Sequence, residues 1–378
     1  MKLLRLTAVG ATLALATLAG VGSANADAPT AYDLLQAGAQ QGVTDGYPGV
    51  IGLVRQGDST QYVHAGVGDR STGAPADPTA QFRIGSNTKA FTATVLLQLE
   101  GEHRLSLDDT VAKWLPGAVD ANGYDGSTIT LRELLNQTSG LPDYIDDLGL
   151  QLADYTNADP SRPYPPQTLV DAALALHKPT SAPGQKWGYS NTNYVLAGMV
   201  IEAVTGNDPA TEIQHRIIEP LGLTHTTFPT TDPTLHGNYL HGYEWFAGLA
   251  LRDVTTSNVQ ISGAAGAIVS TLDDLATFDR ALLTGTLLPP AQEAELKTTV
   301  PTDSTGTAGY GLGIYHQQLP CGQWAWDHDG DVLGYHSIWL ASDDGSKQVV
   351  LAANEFHMMG PTNGQNDTGG AALNALCA

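Results

Sequence analysis

Apolar residues change their period several times along the chain, and each change marks an element. From Tyr32 to Gln41 they recur at helical spacing and predict a short helix. Val50–Arg55 and Gln61–Val67 read as two strands joined by a turn around Gly57-Asp58. Between Ser86 and Glu100 the apolar positions (Ala90, Phe91, Val95, Leu96, Leu97, Leu99) cover nearly the whole helical circumference, which predicts a buried central helix ended by Gly101. From about 102 to 265 helical patterns dominate. Thr130-Leu131-Arg132-Glu133 is a capping box opening a helix that Gly140 is expected to stop. Asp208-Pro209 sets a cap residue and an N1 proline before another helix. Asp143–Gln167 and Pro229–Val259 read as loop-rich stretches placed to roof a site. After Thr271 a capped helix is followed by β-like runs at Leu312–Leu319, Gln323–His328, His336–Ala341 and Val349–Ala353, then a closing helix near Gly369–Leu376. Strands at both ends around a helical block imply one α/β layer assembled from sequence-distant pieces. Residues 27–101 and 266–378 would form the sheet unit, and 102–265 a mostly helical one.

The first 26 residues follow another pattern. Lys2 and Arg5 precede an apolar run from Leu6 to Val21, and Ala24-Asn25-Ala26 offers a small-x-small cleavage site. This is the pattern of a secretory signal peptide, so the protein is expected to be exported, with cleavage after Ala26 and no membrane anchor. Composition then narrows the classes. With 42% hydrophobic residues and only 42 Gly and 21 Pro in 378, the chain has material for a core and is not a disordered scaffold. A net charge of −22 repels phosphate backbones and anionic lipid, which excludes nucleic acid as a partner. Cys321 and Cys377 are the only cysteines, and in an oxidising compartment they are expected to form one disulfide. A monomer is expected.

Chemistry concentrates in three short segments. Among seven lysines only Lys89 has a serine three positions earlier; Ser86-Asn87-Thr88-Lys89 opens the predicted buried helix. Residues i and i+3 share a helix face, so the amine can reach the serine oxygen. A desolvated lysine has a lowered pKa and can serve as base or proton relay. A second polar group must carry the proton to the leaving group, and Tyr-x-Asn occurs twice, at Tyr155-Thr156-Asn157 and Tyr189-Ser190-Asn191. The first lies in a Pro/Asp-rich stretch and the second at a loop-to-helix junction. His-x-Gly is also doubled, as His64-Ala65-Gly66 and His328-Asp329-Gly330. No His-Glu-x-x-His and no Gly-x-Ser-x-Gly is present, so neither a metal nor an α/β-hydrolase fold is expected, and no cofactor is implied.

Taken in order, Ser86-x-x-Lys89, Tyr189-x-Asn191 and His328-x-Gly330 resemble the triple of the active-site-serine, penicillin-recognising hydrolases. The chain is similar to secreted serine DD-carboxypeptidases, class C β-lactamases and the related D-amino-acid amidohydrolases and esterases. Phe82–Gly85, Leu134–Tyr144, Pro183–Gly198 and Gly309–Gly313 add to the likeness. The resemblance selects Tyr189 and His328 from the doubled motifs. It implies an antiparallel sheet flanked by helices with an inserted helical domain and the site at their interface. It also implies Ser86 as nucleophile, Lys89 as its activating partner, Tyr189 as general acid/base, Asn191 as a holder of the substrate amide, and an oxyanion hole from the N–H groups of Ser86 and Asp331. The substrates implied are peptides, amides or esters with a D-residue, and β-lactams.

One departure from the resemblance stands out. The positions flanking Gly330, commonly hydroxyl residues that bind a substrate carboxylate, are Asp329 and Asp331, on one strand face by period two. Tyr315–Gln318 supplies no arginine. Either the aspartates face the site and favour a substrate ammonium, or both turn to water, or one of them pairs with His328. A D-aminoacyl amidase or esterase, a DD-carboxypeptidase and a β-lactamase remain open, as does a non-catalytic penicillin- or peptidoglycan-binding protein.

Overall fold

The computed structural model describes residues 28–356 and 363–378, so the expected signal peptide lies outside the described residues. Helix α1 (Ala31–Thr44), whose Thr30 and Asp33 form a reciprocal capping box, leads into β1 (Gly49–Gln56), β2 (Ser59–Asp69) and the short β3 (Ala74–Pro75). After β4 (Phe82–Arg83) a single 3₁₀ turn, Gly85–Asn87, opens α2 (Thr88–Gly101). The middle of the chain holds α3 (Val111–Trp114), α4 (Leu131–Leu135), α5 (Leu148–Thr156), α6 (Pro166–Leu176), α7 (Asn191–Thr205), α8 (Pro209–Ile213) and α9 (Glu219–Leu221). The hairpin β5 (Tyr243–Phe246) and β6 (Ala250–Asp253), α10 (Gly263–Gly266), β7 (Val269–Ser270), α11 (Leu272–Leu283) and α12 (Pro290–Leu296) follow. The chain closes with β8 (Val300–Pro301), β9 (Ala308–Tyr310), β10 (Tyr315–Gln318), β11 (Trp324–Val332), β12 (Tyr335–Ser342), β13 (Lys347–Ala353) and α13 (Asn363–Cys377).

Nine strands form one antiparallel sheet in the order β3-β2-β1-β13-β12-β11-β10-β9-β8. The two ends of the sequence therefore meet in its middle, where Leu53 lies opposite Val350. Period two sorts the side chains between two layers. Val349, Leu351 and Ala353 pack with Leu35, Ala39, Ala372 and Leu376 under α1 and α13, whereas Val350 and Ala352 join the larger core around Phe91, Phe278 and Trp339. Helix α2 is buried almost all round, as its all-round apolar pattern requires, and its Phe91 stacks on Phe278 of α11 with centroids 3.5 Å apart.

Three local expectations need correction. Helix α4 stops at Leu135 and not at Gly140, because Gln137 takes a left-handed φ of +65° and turns the chain one residue after the C-cap Asn136. The stretch 143–167 contains α5, capped by the Asp147 side chain, so Tyr155-Thr156-Asn157 is a helix end with a left-handed Asn157. The stretch 229–259 contains the β5–β6 hairpin.

Cys321 and Cys377 are disulfide-bonded across a separation of 56 residues, fastening the β10–β11 turn to the end of α13. On the chain-entropy account such a loop stabilises by about 4 kcal/mol. Reduction, or replacing both cysteines by Ala, is expected to lower Tm by about 5 °C while turnover at moderate temperature stays within a factor of two. Calorimetry beside a rate assay checks this; a comparable loss of turnover would tie the bridge to the site.

Candidate active site

The site forms where the 3₁₀ turn before α2, the start of α7, the 143–154 segment and the end of β11 converge. Two glycines permit this convergence. Gly85 holds φ +52°, and a Cβ there would meet the Asp331 nitrogen at 2.8 Å; a Cβ on Gly330 would meet the Ile84 carbonyl oxygen at 1.9 Å. β11 is thus pressed backbone to backbone against the turn that presents Ser86. Strand β10 reaches only as far as Asp327, so the β11 edge beyond it is free of that neighbour and faces the cleft. A cavity of about 410 Å³ opens there, lined among others by Ser86, Tyr189, Asn191, Tyr315, Asp329 and Asp331.

Lys89 is fully buried, one helical turn after Ser86. Its Nζ lies 2.8 Å from Ser86 Oγ, 2.7 Å from Asn191 Oδ1 and 2.8 Å from the Ala265 carbonyl oxygen. Burial pulls its pKa down from 10.5 to about 7, with the carboxylates of Asp143 and Asp329 opposing. The neutral amine has two hydrogens and one lone pair. Donating to Asn191 Oδ1 and Ala265 O leaves the lone pair for the Ser86 hydroxyl proton. Tyr189 is half-buried on the cavity wall, with its ring centroid 4.9 Å from Lys89 Nζ. Burial raises its phenol well above its ordinary pKa, against a hydrogen bond with Ser86, so it stays protonated through the neutral range.

The other predicted residues are placed as follows. Asn191 lines the cavity, but both ends of its amide are engaged: Oδ1 accepts from Lys89, and Nδ2 donates to Asp143 Oδ2 at 2.9 Å. His328 is 0% exposed and lies behind the cavity wall. Its Nδ1–H donates to the Asp329 carbonyl oxygen, which leaves Nε2 to accept from the Tyr310 hydroxyl at 3.2 Å. Burial lowers its pKa to about 4, so it is a neutral positioning group at physiological pH. Asp329 and Asp331 both line the cavity. The expected pairing with His328 falls instead to His336: Asp331 Oδ1 lies 2.6 Å from His336 Nδ1, while Asp329 Oδ1 is 3.9 Å from His328 Nδ1. Burial alone would lower His336, yet the Asp331 carboxylate holds it above its ordinary value. One of the two aspartates is therefore charge-compensated. The motifs set aside in the sequence stay apart from the cavity: His64 lies on β2, and the Tyr155 hydroxyl bonds the β5–β6 hairpin.

Sequence reasoning missed Asp143, Asp154 and His336. Asp143 fixes Asn191 and caps the turn at Tyr144–Asp146. Asp154 reaches the cavity from α5, and burial raises its carboxyl to about 7. His336 was within reach of the sequence. Val332 pairs with Tyr335 around the two-residue Leu333-Gly334 turn, and that register puts Asp331 opposite His336.

An antiparallel sheet packed between helices, with a serine and a buried lysine joined at the entry to a core helix, defines the class: a hydrolase of the penicillin-binding and β-lactamase fold. The chain belongs to the Beta-lactamase family, whose profile matches residues 34–372. It is 28% identical over 317 residues to Penicillin-binding protein 4* of Bacillus subtilis (strain 168), covering 80% of this chain and 67% of that one. Among solved structures, a D-stereospecific amidohydrolase from Streptomyces sp. superposes with TM-score 0.81 at 38% identity, covering 90% of this chain and 97% of the other. The D-amino acid amidase from Ochrobactrum anthropi SV3, complexed with L-phenylalanine amide, superposes with TM-score 0.79 at 26% identity over 92% and 98% of the two chains. Among the described residues no helix is long and apolar enough to cross a membrane.

Proposed function

We propose that this protein is an exported serine hydrolase that forms an acyl-enzyme on Ser86 with D-amino-acid amides, peptides or esters, and that it favours substrates without a terminal carboxylate. The observation that carries the reading is the 2.8 Å contact between Ser86 Oγ and a fully buried lysine whose pKa lies near neutrality. A pure binding module has no use for a nucleophile beside a base, which disfavours a non-catalytic penicillin-binding role. The disulfide suits an oxidising compartment, in keeping with export.

In the acylation step the Ser86 hydroxyl gives its proton to Lys89 Nζ as Oγ attacks the substrate carbonyl carbon. The carbonyl electrons move to oxygen, and the backbone N–H groups of Ser86 and Asp331 stabilise the resulting oxyanion. Such a donor is typically worth 10²–10³ in rate. The C–N or C–O bond then breaks as the leaving group takes a proton through the Tyr189 hydroxyl, which recovers one from Lys89. Deacylation runs the same path with water in place of the leaving group. Asn191, held in turn by Asp143, acts through Lys89 by fixing one of its two donated hydrogen bonds, and the Ala265 carbonyl fixes the other.

Substrate preference follows from charge. No arginine or lysine is among the described residues lining the cavity, whereas three aspartates are. With Asp331 paired to His336, Asp329 is the main obstacle to a substrate carboxylate, although its side chain is 51% exposed and screened accordingly. Wild type is expected to cleave the C-terminal amide of acyl-D-Ala-D-Ala faster than the free acid. Asp329→Asn should raise kcat/KM for the acid by about tenfold and leave the amide within threefold. A side-by-side rate panel that also includes a D-Phe amide and a cephalosporin tests both statements. Faster cleavage of the free acid by wild type would overturn the preference.

A further inference from the structure

Among the carboxylates around the cavity, Asp154 is the one whose structural surroundings leave it without a task. Asp143 is held by the Asn191 amide and the Ile145 N–H. Asp331 is paired with His336, and Asp329 is half exposed to water. Asp154 lines the cavity, and its side chain has no hydrogen bond or ion pair to any described residue. It is half-buried there, and the wall it shares is mixed, with Ile145, Leu150 and Ile261 beside Tyr144 and Gln151. A carboxylate without a partner on a cavity wall is free to take up a cation that enters the cavity.

The fold takes trouble to keep it there. Asp154 is in the last turn of α5, on the face shared with Leu150 and Gln151 that fronts the cavity, whereas Leu148 and Leu152 point outward. The hairpin β5–β6 grips this end of α5. Arg252 donates to the Tyr155 and Thr156 carbonyl oxygens at 3.1 and 3.3 Å, the neighbours that follow Asp154. The Tyr155 hydroxyl donates to the Trp245 carbonyl oxygen at 2.9 Å, and its ring stacks on Phe246 with centroids 5.5 Å apart. A cation bound to the final carbonyls of a helix also complements its dipole.

We infer that Asp154 is a specificity-determining residue that binds the free α-ammonium of a D-aminoacyl substrate, anchored from the α5 roof while Ser86 meets the carbonyl from the floor. This rests on the acyl-hydrolase reading above and narrows its substrate class to D-amino-acid amides or esters with an unblocked amine. An α-amine and the scissile carbonyl are separated by one carbon, so a substrate held at both ends presents a fixed face to Ser86. The raised pKa of Asp154 suits the role, because an arriving ammonium favours its ionised form.

The test compares D-Phe-amide with N-acetyl-D-Phe-amide in wild type, Asp154→Asn and Asp154→Glu. Asparagine keeps the shape and removes the charge; glutamate keeps the charge one methylene further out. In Asp154→Asn the ratio of kcat/KM for free amine over N-acetyl substrate is expected to fall about 10²-fold, chiefly through KM, with partial recovery in Asp154→Glu. A loss shared equally by both substrates would mean a structural role and would overturn the inference, as would an unchanged ratio. A second arm needs no turnover. In a Ser86→Ala background, calorimetric binding of D-phenylalaninol should weaken at least tenfold on adding Asp154→Asn, while its N-acetyl derivative should show no comparable change. If wild type forms no acyl-enzyme but this binding difference appears, the hydrolase reading fails and the Asp154 assignment stands. If wild type turns over and neither arm separates the amines, the assignment alone fails.

Discussion

Ser86→Ala is expected to reduce turnover of every substrate by more than a thousandfold and to abolish covalent labelling by benzylpenicillin. The reason is stoichiometric: the Oγ is the atom that would carry the acyl group, and among the described residues Lys89 Nζ approaches no other side-chain hydroxyl within hydrogen-bonding distance. Knocking out a nucleophile that works as a unit with its base costs about as much as removing the whole unit. Stability should change little, because the substitution deletes one small polar atom at the edge of a cavity. Intact-protein mass spectrometry after incubation with the penicillin reads the label, and circular dichroism reads the fold. A labelled Ser86→Ala protein, or one retaining more than a thousandth of the rate, would assign the chemistry to another residue.

Removing the base should be nearly as severe, and it leaves a signature in the pH profile. Lys89→Met keeps most of the buried stem and takes away the amine. General-base loss of this kind costs about 10²–10⁴ in rate. In wild type the active form requires a neutral Lys89, and burial has brought its pKa to about 7. The sign follows directly: kcat/KM should rise with pH up to a midpoint near 7 and level off above it, because deprotonation creates the base. An unburied lysine would place that rise above pH 10. His328 cannot produce the same limb, since its pKa is about 4, and following the N-acetyl substrate keeps Asp154, whose carboxyl is raised to about 7, from contributing to it. A flat profile between pH 5.5 and 8, or near-normal rates in Lys89→Met, would undo the role assigned to Lys89.

Much of this architecture is legible in the sequence because the governing interactions are local or strictly periodic. The capping box of Thr130 and Glu133, the Asp208 cap before Pro209 and the Thr271 cap each form as their spacing requires. The all-round apolar pattern of α2 leaves Lys89 no route to water, so the i, i+3 relation to Ser86 becomes a direct contact. Where the reading failed, the deciding interactions are distant in sequence. Helix α5 has nine residues and an early glycine, and its end is held by Arg252 and the hairpin nearly a hundred positions away. No local signal carries that support, and with α5 unseen Asp154 had no place in the site. His328 reads as a cavity residue from its motif, yet β11 is covered on both faces at Asp327 and His328, which turns the imidazole into packing.

The placement of β1 beside β13 has a consequence for how the protein is made. These strands, and α1 with α13 behind them, are brought together from opposite ends of the chain, and Gly38 meets Ala371 so closely that an added Cβ would lie 2.1 Å from the alanine's. Until the last strands are synthesised, Val50–Val54 has only the β2 hairpin to pair with, and its apolar faces lack their final cover. Contact order is correspondingly high, so closure of the sheet should limit the folding rate. A nascent chain would present an unpaired, aggregation-prone edge throughout its elongation, so folding of the sheet has to wait for its last strands.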